Sequence, residues 1–198
     1  MIEVRIHGRG GQGAVVASLI IARAAFHDGY HVQVFPQFGV ERRGAPVVAF
    51  TRLSRQPIRV RSHIYTPHHI LVLDPALFAY IDVTAGLRSN GWIVINTPDP
   101  PAAFPLLEQW RVATVDGTTI AAEHGIGTVT QPIVNTAMVG AFIRATGLVS
   151  WESLVRAIQE TMADRAEANT AAARKAFESV QLRLHPALES IQARYMNL

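Results

Sequence analysis

Four glycines within six residues, set between a strand and an apolar helix, constrain the N-terminal part of this chain more than any other feature. Ile2, Val4 and Ile6 alternate with polar residues, as in a strand with one face buried. Gly8, Gly10, Gly11 and Gly13 follow, and the chain then runs through apolar residues to Phe26. Gly8-Arg9-Gly10-Gly11-Gln12-Gly13 satisfies G-x-G-x-x-G in the setting the motif requires, a strand before it and a helix after. Glycine tolerates positive φ and lets a ligand come close to the backbone. The N–H groups opening the helix would then face an anion, aided by the helix dipole. The same turn can also simply pack helix on sheet with nothing bound.

With 198 residues, 49% of them hydrophobic, the chain is expected to form a single domain over 1–198, an α/β core at 1–130 and a mainly helical part at 131–198 packed on it. Residues 12–28 read as a helix apolar nearly all round, ended by Gly29 and so buried on more than one side. Strands are expected at 31–35, 47–53, 70–73, 92–96 and 112–115, with 58–60 pairing beside the second of these. Helices are expected at 76–80, 83–88 and 119–123. Asn135 is placed to cap a helix ended by Gly147, and Ser150 to cap the next. Ala173, Phe177, Val180 and Leu184 recur at spacings of 4, 3 and 4, which predicts one helix running up to Pro186. Strands alternating with helices give an open Rossmann-like α/β sheet with helices on both faces and a helical C-terminal tail.

Composition removes several chemistries. There is no cysteine, hence no disulfide, no thiolate nucleophile and no cysteine-held iron–sulfur cluster in this chain. The apolar run from Ala14 is interrupted at Arg23, short of the roughly 20 residues of a membrane span, so a soluble, cytoplasmic chain is expected. A net charge of +3 with only 17% charged residues suggests a surface partly covered by partner protein. Lys175 is the sole lysine, and no nucleic-acid-binding signature accompanies it. It also stands far from any glycine, which excludes a P-loop. No G-x-S-x-G or H-E-x-x-H occurs. Asp116-Gly117 with Asn135 is similar to a thiamine diphosphate metal motif but lacks its preceding glycine and is too closely spaced. His68 and His69 would point to opposite faces of a strand, so with His63 they suggest a surface or interface role rather than a metal site.

A dinucleotide fold of the NAD type wants an acid about 20 residues after the glycines, at the end of the second strand. Here that strand ends in Val34-Phe35-Pro36-Gln37. Arg42, Arg43, Arg52, Arg55, Arg59 and Arg61 follow, with Glu41 the sole acid nearby. Guanidinium groups grip phosphates bidentately, so a ligand with an additional phosphate, NADP or the 3′-phospho-ADP part of coenzyme A, fits better than NAD. Pairing with carboxylates of a partner subunit is the other reading of these arginines.

His7-Gly8-Arg9-Gly10-Gly11-Gln12-Gly13 together with Phe35-Pro36-Gln37-Phe38-Gly39-Val40-Glu41-Arg42-Arg43-Gly44-Ala45-Pro46-Val47 resembles the gamma subunit of 2-oxoacid:ferredoxin oxidoreductases of the pyruvate or 2-ketoisovalerate type. Asp74-Pro75 and the stretch from Asn135 to Ala141 share the likeness, which runs to the region of Ser150. The resemblance implies an oxidoreductase complex that converts a 2-oxoacid and coenzyme A to an acyl-CoA by oxidative decarboxylation. It places thiamine diphosphate with magnesium between alpha and beta subunits, [4Fe-4S] clusters in the beta and delta subunits, and ferredoxin or another acceptor downstream. The chain itself would hold no catalytic residue and no metal. Gly10, Gly11, Gln12 and Gly13 would form a backbone anion cradle, and Arg42 and Arg43 would meet the phosphates of coenzyme A or order the loop. A free-standing NADP-dependent reductase and a purely structural subunit are the alternatives.

Overall fold

The computed structural model describes residues 1–37, 44–128 and 130–184. Its centre is a seven-stranded sheet in the order β2-β3-β1-β4-β5-β6-β9. The strands are β1 (Ile2–Arg9), β2 (His31–Gln37), β3 (Pro46–Ser54), β4 (His69–Val72), β5 (Trp92–Asn96), β6 (Arg111–Val115) and β9 (Gln181–Arg183); β7 (Gly127–Thr128) and β8 (Gln131–Pro132) make a separate ribbon. β1, β4, β5 and β6 are parallel neighbours, β3 is antiparallel to β1 and β2, and β9 is antiparallel to β6. Five strands therefore run one way and β3 and β9 the other.

Each strand divides its side chains between two layers. On the front, Val4, Ile6, Ala49, Leu53, Leu71, Trp92, Val94, Ala113 and Val115 meet the buried residues of α1 (Ala14–His27), α2 (Gly117–Glu123), α3 (Asn135–Thr146), α4 (Trp151–Met162) and α5 (Ala166–Ser179). The middle of this layer is α3, buried at every position from Asn135 to Ile143. Its Gly140 lies against α5 so closely that a Cβ would stand 2.1 Å from the Ala173 carbonyl oxygen. On the back, Ile70, Val72, Ile93, Ile95 and Val112 are covered by Leu77, Val83, Leu87 and Leu107, carried by the 3₁₀ helices Pro75–Ala79 and Pro105–Leu107 and the turns between.

Ser150 caps α4 by accepting from the Ser153 N–H, and Gly147, at φ 63°, closes α3. Asp28 ties α1 to α4, accepting from Ser150 N–H, Ser150 Oγ and Ser153 Oγ.

Several elements differ from expectation. Residues 75–79 form a 3₁₀ rather than an α-helix, and 83–88 are turns, because Pro75 and the Asp82 side chain, which accepts from Thr84 N–H and Oγ1, favour tight local bonding over a propagating helix. Residues 58–60 form no strand. Asn135 is the first residue of α3 and not its cap. The last helix stops at Ser179, and Gln181–Arg183 becomes an edge strand. Val180, Leu182 and Leu184 alternate with Gln181 and Arg183, so the apolar positions taken for a helical stripe also satisfy a period of two; pairing with β6 decides between them.

Candidate functional site at the carboxyl edge of the sheet

The glycine turn leaves β1 at the carboxyl ends of the parallel strands, where open α/β sheets bind ligands. Its shape is fixed from within. Gly10 N–H donates to the Ala45 carbonyl, Gln12 N–H to the Arg9 carbonyl, and Arg9 N–H to Gln12 Oε1 at 2.8 Å. Arg9 Nε donates to Asp74 Oδ2 at 2.6 Å, while Asp74 Oδ1 accepts from Ala76 N–H and so opens the 3₁₀ helix after β4. Gly11 and Gly13 adopt φ 99° and 83°. A Cβ on Gly13 would stand 2.5 Å from Asn135 Nδ2, so helix α3 demands a glycine there as much as the turn does.

Gly10 and Gln12 thus spend their N–H groups inside the loop. Among the described residues, the N–H groups of Gly11, Gly13, Ala14, Val15 and Val16 meet no acceptor. These are the orphan donors of a helix start, and they need a partner from outside. Gly11 borders a cavity of about 370 Å³ shared with Arg9, Gln12, Thr118 and Val134. All five border a second of about 690 Å³, walled by Leu19, Val47, Ile126, Ile133 and Met162 and reached by Arg9, Asn135 and Arg165. Asn135 is only 3% exposed; its Oδ1 accepts from Thr136 N–H, which leaves Nδ2 without an acceptor among the described residues. Close to the far wall, Ala163 takes φ 44°, the one positive φ among the described non-glycine residues.

Of the expected site residues, Gly10, Gly11, Gln12 and Gly13 stand together on this edge, whereas Arg42 and Arg43 lie outside the described residues. Asn135, Arg9 and Asp74 were not among the expected site residues. Arg9 lies within the motif, and Asp74 and Asn135 open stretches that share the family likeness, but their contacts with the turn arise only through tertiary packing.

The other arginines divide. Arg52 is 1% exposed and wholly engaged: Nε donates to Glu3 Oε1 at 2.9 Å, Nη1 to Gln33 Oε1 at 3.0 Å, and Nη2 to the carbonyls of Ser62 and His63. It binds neither a phosphate nor a partner carboxylate. Arg55 Nη1 donates to the Asp28 carbonyl, and its guanidinium lies over the Tyr30 ring. Arg59 and Arg61 are exposed.

His63 stays exposed, as a surface role expects, whereas His68 and His69 spend a ring nitrogen inside the fold. His68 Nδ1 accepts from Glu3 N–H and His69 Nδ1 from Trp92 N–H. His7 Nε2 accepts from Arg5 Nε at 3.0 Å, so its proton sits on Nδ1, a buried atom with no partner. Burial, reinforced by the Arg5 charge, lowers the pKa of His7 to about 3; burial, then Arg111 and His68, does the same for His69. No group of three metal-ligating side chains exists among the described residues, and none of their helices is long and apolar enough to cross a membrane.

Sheet, glycine turn and main-chain donors without an acceptor among the described residues together define an α/β subunit with a cavity at the carboxyl edge of its sheet. The chain belongs to the pyruvate ferredoxin/flavodoxin oxidoreductase family, whose model matches residues 3–179, and within it is a gamma subunit. It is 50% identical over 188 residues to the pyruvate/ketoisovalerate oxidoreductases common subunit gamma of Pyrococcus abyssi, covering 92% of this chain and 98% of that one. It is 49% identical over 182 residues to the pyruvate synthase subunit PorC of Methanothermobacter marburgensis, covering 91% and 98%. The crystal structure of the pyruvate oxidoreductase subunit PORC of Thermotoga maritima superposes with a TM-score of 0.76 at 32% identity, over 91% of this chain and 97% of that one. The chain is thus a subunit of an oxidoreductase complex.

Proposed function

We propose that this chain is the gamma subunit of a cytoplasmic complex that oxidatively decarboxylates pyruvate or a related 2-oxoacid to its acyl-CoA, and that it helps both to hold coenzyme A and to assemble the complex. The observation that carries the proposal is the row of N–H groups at Gly11 and Gly13–Val16 that meet no acceptor among the described residues, carried by residues that line a cavity of about 690 Å³. Donors of this kind suit a phosphate. The apolar walls suit the pantetheine arm, and Asn135 Nδ2 adds a side-chain donor beside the turn. Gly10 and Gln12 serve the cradle by fixing its shape, Gly11 and Gly13 by presenting donors, and Arg42 and Arg43 by adding charge.

The catalytic chemistry belongs to companions. A chain without cysteine offers no thiolate to a [4Fe-4S] cluster. The family resemblance assigns these clusters to beta and delta subunits and thiamine diphosphate with magnesium to the alpha and beta subunits, with ferredoxin or another acceptor taking the electrons.

Arg42→Ala with Arg43→Ala in the assembled complex tests the arginines. The apparent coenzyme A affinity should fall about tenfold, in line with the loss of charge-assisted hydrogen bonds to phosphate, while the 2-oxoacid KM holds. An unchanged coenzyme A affinity would remove both residues from the site.

A further inference from the structure

Residues 55–66 cross the back of β2 and β3 without regular secondary structure, yet they are firmly held at their far end. The Ser62 and His63 carbonyls accept from buried Arg52, and the His63 ring packs edge-on against Phe35, Phe50 and Tyr65. Ile64 is buried, and the Tyr65 carbonyl lies so near Gly86 that a Cβ there would stand 2.0 Å away. At the near end Arg55 is tied to Asp28 and Tyr30.

Between these anchors the chain is unengaged. From Pro57 to Arg61, no backbone or side-chain group has a hydrogen-bond or ion-pair partner among the described residues. Arg59 and Arg61 stand exposed, with Val60 42% and Tyr65 71% exposed beside them. No acid occurs anywhere from Arg42 to Leu73. The segment is thus pre-ordered, cationic and partly apolar, with unspent main-chain donors and acceptors. A free anion needs a concave site, and neither arginine lines one of the cavities at the carboxyl edge. Arginine and tyrosine around an exposed aliphatic side chain have instead the composition of a protein interface.

We infer that residues 57–65 form a docking surface for a carboxylate-bearing face of a partner subunit, with Arg59 and Arg61 pairing its acids and Val60 and Tyr65 packing between them. The inference rests on the multi-subunit reading above and adds where on this chain one partner sits. Because the segment is already ordered, docking forgoes most of the entropy cost of fixing a loop.

The test is co-purification of the complex with Arg59→Glu and Arg61→Glu together, against Arg59→Lys and Arg61→Lys. At about 0.15 M salt, charge reversal should lower the recovered companion subunits about tenfold or more, while the lysine pair keeps most of them. The thermal midpoint of the reversed chain alone should stay at the wild-type value, since neither arginine bonds to another of the described residues. Rising salt should release the same companion from the wild-type complex. Companions retained at wild-type stoichiometry by the reversed variant would overturn the inference and leave the complex intact as a reading. A wild-type chain that purifies with no companion would overturn both, and salt-sensitive nucleic-acid binding lost in the reversed variant would replace the acidic partner.

Discussion

The front of the sheet is finished with hydrocarbon and the back with charge. On the front, five α-helices close over the strands, and Gly140 of α3 lies directly against the backbone of α5. On the back, only the β4–β5–β6 half has an apolar cover; over β1, β2 and β3 the covering loops are held by two buried arginines. Arg52 grips the carbonyls of Ser62 and His63, and Arg5 those of Val83 and Ala85. The front layer therefore follows from periodic burial, whereas the back depends on a few charged hydrogen bonds that pin irregular segments in place. Helices make a rigid wall for the glycine turn, and pinned loops leave a presentable surface on the other side.

Arg52→Leu should break that contrast most severely. It strands the Glu3 carboxylate in a nearly dry site and frees the carbonyls of the arm, and loss of one partner of a buried pair costs about 3–5 kcal/mol. Urea unfolding would register the loss, and hydrogen exchange should show residues 62–66 opening first. A change below about 1 kcal/mol would mean that the arm is held by its aromatic packing instead.

A smaller effect should appear with pH, because one histidine with a lowered pKa sits in each layer, buried His7 at the back and half-buried His69 at the front. Both are held neutral with pKa values near 3 against an ordinary 6.5, so the unfolded chain binds more protons between those values. Stability should hold steady above about pH 6.5 and fall as pH drops toward 3, by about 1.4 kcal/mol per pH unit for each histidine. Urea midpoints at pH 7 and pH 5 check this. Removing either imidazole should halve the slope, and a flat profile would contradict neutral burial in both layers.

The same contrast explains what could be read from sequence. Strands at 92–96 and 112–115 and the helix after the glycines are legible because local period and burial agree. The antiparallel placement of β3 is not, since direction depends on which neighbour a strand pairs with. Consequently β2 is an edge strand separated from β1 by β3, and the missing acid at its end carries less meaning than it would in a βαβ unit. Arg52 looks like its exposed neighbours in sequence, and only the fold shows that its charge is already spent. Of the glycine turn, the position was legible. Which of its N–H groups remain free, and that Asn135 stands against Gly13, emerged only from packing.

The central claim is that this turn receives an anionic group of coenzyme A. Gly11 has φ 99°, and a Cβ placed on it would meet nothing within 4 Å, so aspartate and asparagine fit there with the same backbone strain. Coenzyme A affinity of the assembled complex should therefore be compared between Gly11→Asp and Gly11→Asn. The account predicts about tenfold or weaker binding for the aspartate variant relative to the asparagine variant, from the added like charge facing the phosphate. Equal affinities in the two would contradict it.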